Sequence, residues 1–365
     1  MKGTDRMNVE QHFNLRDFNR FARRIYEDEP RYIDNKSSLV SLLCKPDSEF
    51  FRHSRQQMIR VAEGSETLCQ AVLMKHENAT ELAVAFFDAV PNAETAAALL
   101  LEYAESVALA WGAERIVIGL EGHCNNSVGF PMNPHPPISF GESYGKQAYH
   151  DYFSNYRQIK LVSYQKEILT IAEKLQQDIL LIGNRTKGVT LEAADFSKAG
   201  FPQSIQRYTD LNNLIFKGHR YYYQRSYRED LELFSSMKPL LNPNNLIFAK
   251  KNGEYIGFVL WYPDFNQLVS EHKTAGAKTV ILYKLLKRVP TRGKLVEIGL
   301  LPQHLRTGAV ALLFLGALKA AGQKCETMVT SWILEENIPS DLATQRYADE
   351  PYKEYCTYEK DLQRD

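Results

Sequence analysis

Few stretches of the 365 residues carry side chains whose type and spacing could do chemistry. Glu297 stands in the run 294–301, Lys-Leu-Val-Glu-Ile-Gly-Leu-Leu, where its neighbours are mostly apolar. A carboxyl in such company tends to keep its proton toward neutral pH, the property a general base needs. Residues 122–137 are the most unusual segment, dense in loop formers, with His123 beside Cys124 and with His135 further on. Adjacent residues rarely face one another, so this dipeptide does not make a nucleophile pair, and the His/Cys spacing does not suit zinc. The segment reads as a loop lining a pocket or an interface between domains. Residues 221–228, Tyr-Tyr-Tyr-Gln-Arg-Ser-Tyr-Arg, interleave aromatics with arginines, a pattern able to stack on bases. Without a second such stretch it reads as the lead into a helix or the wall of a substrate cleft. The basic run 284–292 reads as a solvated helix.

The elements that must position these groups occur twice. In the first half, residues 81–87 form an apolar strand, 88–92 a polar turn, 94–110 an Ala/Leu helix ending near Gly112, and 115–120 a second strand. In the second half the order repeats: a strand at 294–301, a turn at 302–307, a helix at 309–321 stopped by Gly322, and a strand at 327–333. Strand, helix and strand at this spacing make a βαβ unit with parallel strands. Each copy is preceded by a hairpin, at 57–74 and at 246–261; the second turns on Asn252-Gly253, a strong hairpin signal. Helices at 15–28, and at 204–216 and 227–237, come before the hairpins. A helix at 167–177 and a polar stretch at 183–187 link the halves. The domains expected are residues 1–166, a linker at 167–188, and residues 189–365.

Composition narrows the function. Lys+Arg and Asp+Glu both number 44, so the chain lacks the basic excess that general nucleic-acid binding uses. Five scattered cysteines with no CxxC pair point to a reducing, cytoplasmic setting. Residues 1–14 lack the apolar core of a signal peptide, and the longest apolar run, 309–318, is too short to span a bilayer. Neither a membrane nor a metal is expected.

Helices, hairpin, strand, turn, helix and parallel strand, in that order, resemble the GNAT superfamily of N-acetyltransferases. The resemblance rests on residues 252–260, Asn-Gly-Glu-Tyr-Ile-Gly-Phe-Val-Leu, and on residues 296–313, similar to the superfamily's acyl-CoA motif. The whole chain looks like a bacterial group of tandem GNAT-like proteins, through residues 24–30, 262–266 and 352–360. The resemblance implies an α+β fold of two tandem GNAT-like domains, each a mixed, mostly antiparallel sheet flanked by helices around a central βαβ unit.

It further implies acetyl-CoA or another acyl-CoA as co-substrate and a small-molecule or peptide amine as acceptor. Its pyrophosphate would lie at the turn and the helix start, where Arg306, Thr307, Gly308, Ala309 and Val310 are the binding candidates, and a backbone N–H at Leu300 or Leu301 would be the donor to the oxyanion that develops on the thioester. The superfamily pattern places its first glycine at Gly308 but puts Leu305 at the Arg/Gln position and Val310 at the second glycine. Glu297 matches the position where many relatives hold a base, and Tyr347, at the end of a helix over 337–347, is the nearest candidate acid. The first-half turn has no glycine and carries Asp88 and Glu94 near the helix start, which would repel a pyrophosphate, so the acyl-CoA site is expected in the second half. A homodimer is compatible with the fold, whose sheets often pair between halves or subunits. The competing expectation is a binding or scaffold protein of the same fold that has lost CoA. A transferase using aminoacyl-tRNA is disfavoured by the balanced charge.

Overall fold

The computed structural model describes residues 7–11, 14–132, 137–322, 324–337, 340, 344–348 and 350–362. Elements run β1 (Asn8–Gln11), α1 (Leu15–Ile25), α2 (Lys36–Leu43), α3 (Glu49–Arg52), β2 (Ser54–Glu63), β3 (Glu66–His76), β4 (Glu81–Ala89), α4 (Glu94–Ala110), β5 (Arg115–Ile118), β6 (Phe130–Pro131) and α5 (Tyr149–Tyr152). They continue with β7 (Arg157–Glu167), α6 (Ile168–Ile182), β8 (Val189–Ala193), α7 (Gly200–Ile215), α8 (Tyr227–Met237), β9 (Leu246–Lys251) and β10 (Glu254–Pro263). The remainder are α9 (Ala277–Val280), β11 (Arg292–Leu300), α10 (Ala309–Gly322), β12 (Thr327–Thr330), β13 (Ile333–Leu334) and β14 (Pro351–Asp361).

The chain divides into two compact units. Unit 1 holds Met1–Leu161, Ser270–Thr274 and Lys353–Asp365; unit 2 holds Val162–Val269 and Ala275–Tyr352. The sheet of unit 1 runs β1-β2-β3-β4-β5-β14, and that of unit 2 runs β8-β9-β10-β11-β12-β7. In each, one parallel pair interrupts an otherwise antiparallel ladder: β4 with β5, and β11 with β12. The strand beyond that pair therefore comes from the far C-terminal region in unit 1 and from the middle of the chain in unit 2. Residues 353–361, grouped with the second half in the sequence reading, thus complete the sheet of unit 1.

The α4 and α10 crossovers are buried because small and branched residues recur at helical spacing. Ala97, Leu100, Leu101, Ala104 and Ala108 pack on Ile59, Leu73, Val84 and Ile116 in unit 1. In unit 2, Leu313, Ala317, Leu318 and Ala321 pack on Val259, Leu295 and Leu300. The helix read as a linker is α6. Its Ile168, Ile171 and Leu175 belong to this same core.

Three local expectations change. Asp88 is not in a polar turn; it lies inside β4, fully buried, with Lys36 Nζ 2.7 Å and Tyr26 Oη 2.8 Å from its Oδ1. A charge-paired strand carboxylate looks like a turn residue when its partners are unknown. The helix expected over 284–292 instead spans α9 and a π turn ending at Leu285. Arg292 then enters β11 and bonds Asp264 at 2.8 and 2.5 Å. The helix expected over 337–347 falls partly on residues outside those described; among the described ones Ser340, Thr344 and Gln345 are helical, and Arg346 and Tyr347 form a turn.

Candidate functional site

Unit 2 contains a gap made by its own strands. β11 and β12 pair in parallel from Arg292 opposite Thr327 to Leu295 opposite Thr330, and Ser331 N–H then donates to Leu295 O at 2.8 Å. Beyond that bond the register with β12 ends, while β11 continues along β10 as far as Leu300 opposite Gly257. Leu301 N–H donates to Ile256 O at 2.9 Å, so it is turned toward β10. Amides alternate along a strand, which turns the N–H groups of Leu300 and Ile298 to the other edge, into the gap. Of the two predicted backbone donors, Leu300 therefore faces the gap and Leu301 does not. Gly257 permits this close pairing: a Cβ there would come within 2.3 Å of Gly299 O.

A bulge lies between Leu260 and Trp261, where Leu260 pairs with Glu297 but Trp261 with Leu295. It sends Glu297 to the face covered by α7. Gly299 is on that face too, because its missing Cβ would lie 2.6 Å from Ile215 Cγ2. Tyr208 Oη on α7 lies 3.0 Å from each carboxylate oxygen of Glu297, and Asn212 Nδ2, one helical turn on, donates to Oε2. Asn212 Oδ1 is 2.8 Å from Tyr222 Oη, and Arg225 Nη2 is 3.5 Å from Tyr208 Oη. Arg225 in turn pairs with buried Asp230 at 3.0 Å. From the tyrosine/arginine run of residues 221–228, Tyr222 and Arg225 therefore join the network around Glu297. Glu297 keeps partial exposure, but its carboxyl is enclosed by this network. Burial pushes it up to about 7, against the pull of Arg225 and of the hydrogen bonds from Tyr208 and Asn212. A carboxyl balanced there can take up a proton near neutral pH.

The expected cradle is only half open. The turn 302–307 is a 3₁₀ segment, and Gly308 follows it with φ +73°, a left-handed conformation that favours glycine. A Cβ on Gly308 would lie 2.7 Å from Ile182 Cγ2 and 3.0 Å from Thr186 Cγ2, so the end of α6 already fills that side. Thr307 Oγ1 accepts from Ala309 N–H at 3.4 Å, and Gly308 O accepts from Ala311 N–H at 3.1 Å. Arg306 and Val310 are exposed at this helix start. Tyr347 is not brought to Glu297: it packs with Phe314 in the α10 core, and its Oη lies 2.8 Å from Asp178 Oδ2. Burial and the Asp178 bond push this phenol up to about 12.

In unit 1 the corresponding gap is filled. Val90 N–H bonds Leu68 O at 2.8 Å, as Leu301 bonds Ile256, so Ala89 is the counterpart of Leu300 and Val84 that of Leu295. Ala89 N–H donates to Tyr149 Oη at 3.0 Å, and Ala93 N–H at the start of α4 donates to Tyr152 Oη at 3.1 Å. Phe86, at φ +56°, gives its N–H to Glu121 Oε2 at 2.7 Å. Burial pushes Glu121 up to about 7, with Lys36 and the Phe86 and Ser143 hydrogen bonds opposing. The unusual loop supplies the plug. Its Phe130 ring closes on Gly119, whose Cβ would be 2.7 Å from Cε2. His123 is buried and its Nδ1 accepts from Asn125 N–H at 3.0 Å; Cys124 Sγ is 3.8 Å from that nitrogen. His135 lies outside the described residues. The signals missed in the sequence were Tyr208 and Asn212, an i, i+4 pair on α7, and the hydroxyls of Tyr149 and Tyr152.

Among the described residues no group of His, Cys, Asp and Glu could hold a metal ion, and no helix is long and apolar enough to cross a membrane. No protein-family model matches the chain, and no curated protein matches its sequence. Solved structures do. A GCN5-related glucosamine N-acetyltransferase region in a fungal multi-domain GH3 β-N-acetylglucosaminidase aligns over 98% of this chain at 12% identity and a TM-score of 0.58. This chain spans 38% of that protein's length. A tandem GNAT protein from the clavulanic acid biosynthesis pathway aligns over 99% of this chain and 100% of its own, at 12% identity and a TM-score of 0.53. A GCN5-related N-acetyltransferase from Sphaerobacter thermophilus aligns over 99% and 97%, again at 12% identity and 0.53. Over its whole length, then, the chain has the α+β fold of the tandem GNAT N-acetyltransferases.

Proposed function

We propose that unit 2 binds an acyl-CoA in the gap between β11 and β12 and transfers its acyl group to an amine. The observation that carries this reading is the parting of the two strands beside a carboxyl held at about 7. The residues fit such a ligand along the gap, where the Leu300 and Ile298 amides face outward. At the start of α10 the fit is narrower, because Ile182 and Thr186 crowd Gly308. The acyl-CoA supplies an activated thioester. Glu297 accepts a proton from the acceptor amine as the C–N bond forms, and the C–S bond breaks to release the thiolate. Tyr208 and Asn212 hold the carboxylate so that its free lone pairs meet the amine. Unit 1 has no room for the same ligand, since its own hydroxyls and Glu121 occupy the equivalent amides.

Activity should rise with pH through about 7 as Glu297 loses its proton. The direct test is calorimetric titration of the purified chain with acetyl-CoA and with desulfo-CoA. One-to-one micromolar binding supports the assignment and its restriction to unit 2. A stoichiometry of two contradicts the closed unit 1, and no binding up to millimolar concentration favours a non-catalytic binding protein. The crowding at Gly308 is the observation on that side. A cytoplasmic setting and an amine acceptor of small-molecule or peptide class belong to the same reading.

A further inference from the structure

Where β11 and β12 part, unit 2 keeps a hydroxyl that none of the described residues uses. Ser331 is the first residue past the parallel register, anchored there by its N–H to Leu295 O at 2.8 Å. It is only 8% exposed, and its Oγ has no hydrogen-bond partner among the described residues. Its neighbour Thr330 is fully used: Thr330 Oγ1 accepts from Tyr164 N–H at 3.0 Å, and its carbonyl accepts from Ser163 Oγ at 2.8 Å. A buried hydroxyl with no partner forfeits the hydrogen bonds it made to water, so its place beside the gap calls for an occupant.

The other unit says what kind of position this is. The counterpart of Ser331 is Gly119, whose N–H bonds Val84 O at 3.2 Å. There the Phe130 ring packs on the glycine, and the Glu121 carboxylate reaches the strand opposite. The same place in the sheet thus holds an aromatic plug and an acceptor carboxylate in unit 1, and an unsatisfied donor in unit 2. An acceptor oxygen at the apex of the gap would satisfy Ser331 as the protein's own groups satisfy unit 1.

We propose that Ser331 donates its hydroxyl hydrogen bond to the carbonyl oxygen of an acyl thioester seated at the apex of the unit 2 gap. This rests on the acyl-CoA reading above and deepens it by naming a contact to the reacting group. Negative charge builds on that oxygen when the amine adds to the carbonyl carbon, and a donor already in place stabilises it. The serine keeps its proton throughout: the amine proton goes to Glu297, the electron pair of the C–S bond leaves with sulfur, and the oxyanion collapses back to the amide carbonyl. By that contact Ser331 is a catalytic residue, alongside the gap-facing amide of Leu300.

The test uses the full chain and compares acetyl-CoA with CoA, which lacks the thioester carbonyl. Ser331→Ala should weaken acetyl-CoA binding by about threefold to tenfold, the worth of one hydrogen bond, and leave CoA binding unchanged. Isotope-edited infrared spectra of bound [1-¹³C]acetyl-CoA should show a lowered carbonyl stretch in the wild type that moves up in Ser331→Ala. Ser331→Thr should restore the lowered stretch. If the wild type binds acetyl-CoA and neither the affinity difference nor the stretch responds to Ser331→Ala, the proposal fails while the acyl-CoA reading stands. Equal weakening of both ligands makes Ser331 a structural residue and also overturns the proposal. Failure of the wild type to bind either ligand overturns both.

Discussion

Removing one hydroxyl from α7 should raise, not lower, the proton affinity of Glu297. Tyr208→Phe keeps the ring, which packs edge-on against Phe234 and Phe258 with centroids 4.9 and 5.0 Å away, so the core is left intact. What disappears is the Oη that sits 3.0 Å from both carboxylate oxygens. A hydrogen bond to a charged group is worth about 1.5–3 kcal/mol, and it favours the ionised form only. At about 1.4 kcal/mol per pKa unit, losing it should move Glu297 up by about 1 to 2 units, from about 7 to about 8 or 9. The carboxyl ¹³C resonance of labelled glutamate, identified by its loss in Glu297→Gln, reports this directly and needs no substrate. Once an acceptor is known, the rising limb of the pH–rate profile should shift by the same amount. An unchanged or lowered midpoint would refute the view that Tyr208 stabilises the carboxylate.

Glu297→Gln should cut turnover at least about a hundredfold and abolish the limb near pH 7, with acyl-CoA affinity nearly unchanged; stopped-assay rates and calorimetry on one preparation check both. Lys36→Met removes the partner of a buried carboxylate in unit 1 and should cost about 3–5 kcal/mol in urea unfolding, while the folded protein retains its acyl-CoA affinity. The folded pKa of Glu121, about 7, lies above its ordinary 4.5, so the folded state holds a proton that the unfolded state has lost between those values. Stability should therefore fall as pH rises from about 4.5 to about 7 and level off above. Glu121 contributes up to about 3 kcal/mol to this slope. Glu121→Gln should flatten the slope measured by urea titration at a series of pH values, and a steeper slope would contradict the burial.

The sheet cores were readable because β4, β5, β11 and the two crossover helices are largely apolar at strand or helix spacing, and such patterns need no knowledge of what they touch. Gly308 itself has a physical cause in its left-handed backbone and its close approach to Ile182. The polar network was not readable in the same way. Glu297 meets Tyr208 and Asn212 only because a bulge at the Leu260–Trp261 step turns it toward α7, and a one-residue irregularity leaves no mark in the apolar pattern. Asp88 read as a turn residue for the opposite reason: its burial depends on Lys36, which lies far from it in the sequence. Each is buried by the other, and neither signals burial alone. Tyr347 was chosen for its place in order, and its hydroxyl is taken by Asp178 of α6, a helix whose packing the linear order concealed.

The exchange of outer strands has a consequence during synthesis. β5 leaves the ribosome long before β14, its antiparallel partner through Ile118 and Tyr358. Until β14 arrives, the nascent N-terminal unit has a bare edge at β5 and lacks the Lys353 ammonium that neutralises buried Glu142 at 2.7 Å. An exposed edge of that kind is open to pairing with other chains. Unit 2 can close its sheet earlier, because β7 precedes it. The half made first is therefore finished last, and loss of the C-terminal strand would injure the opposite end of the polypeptide.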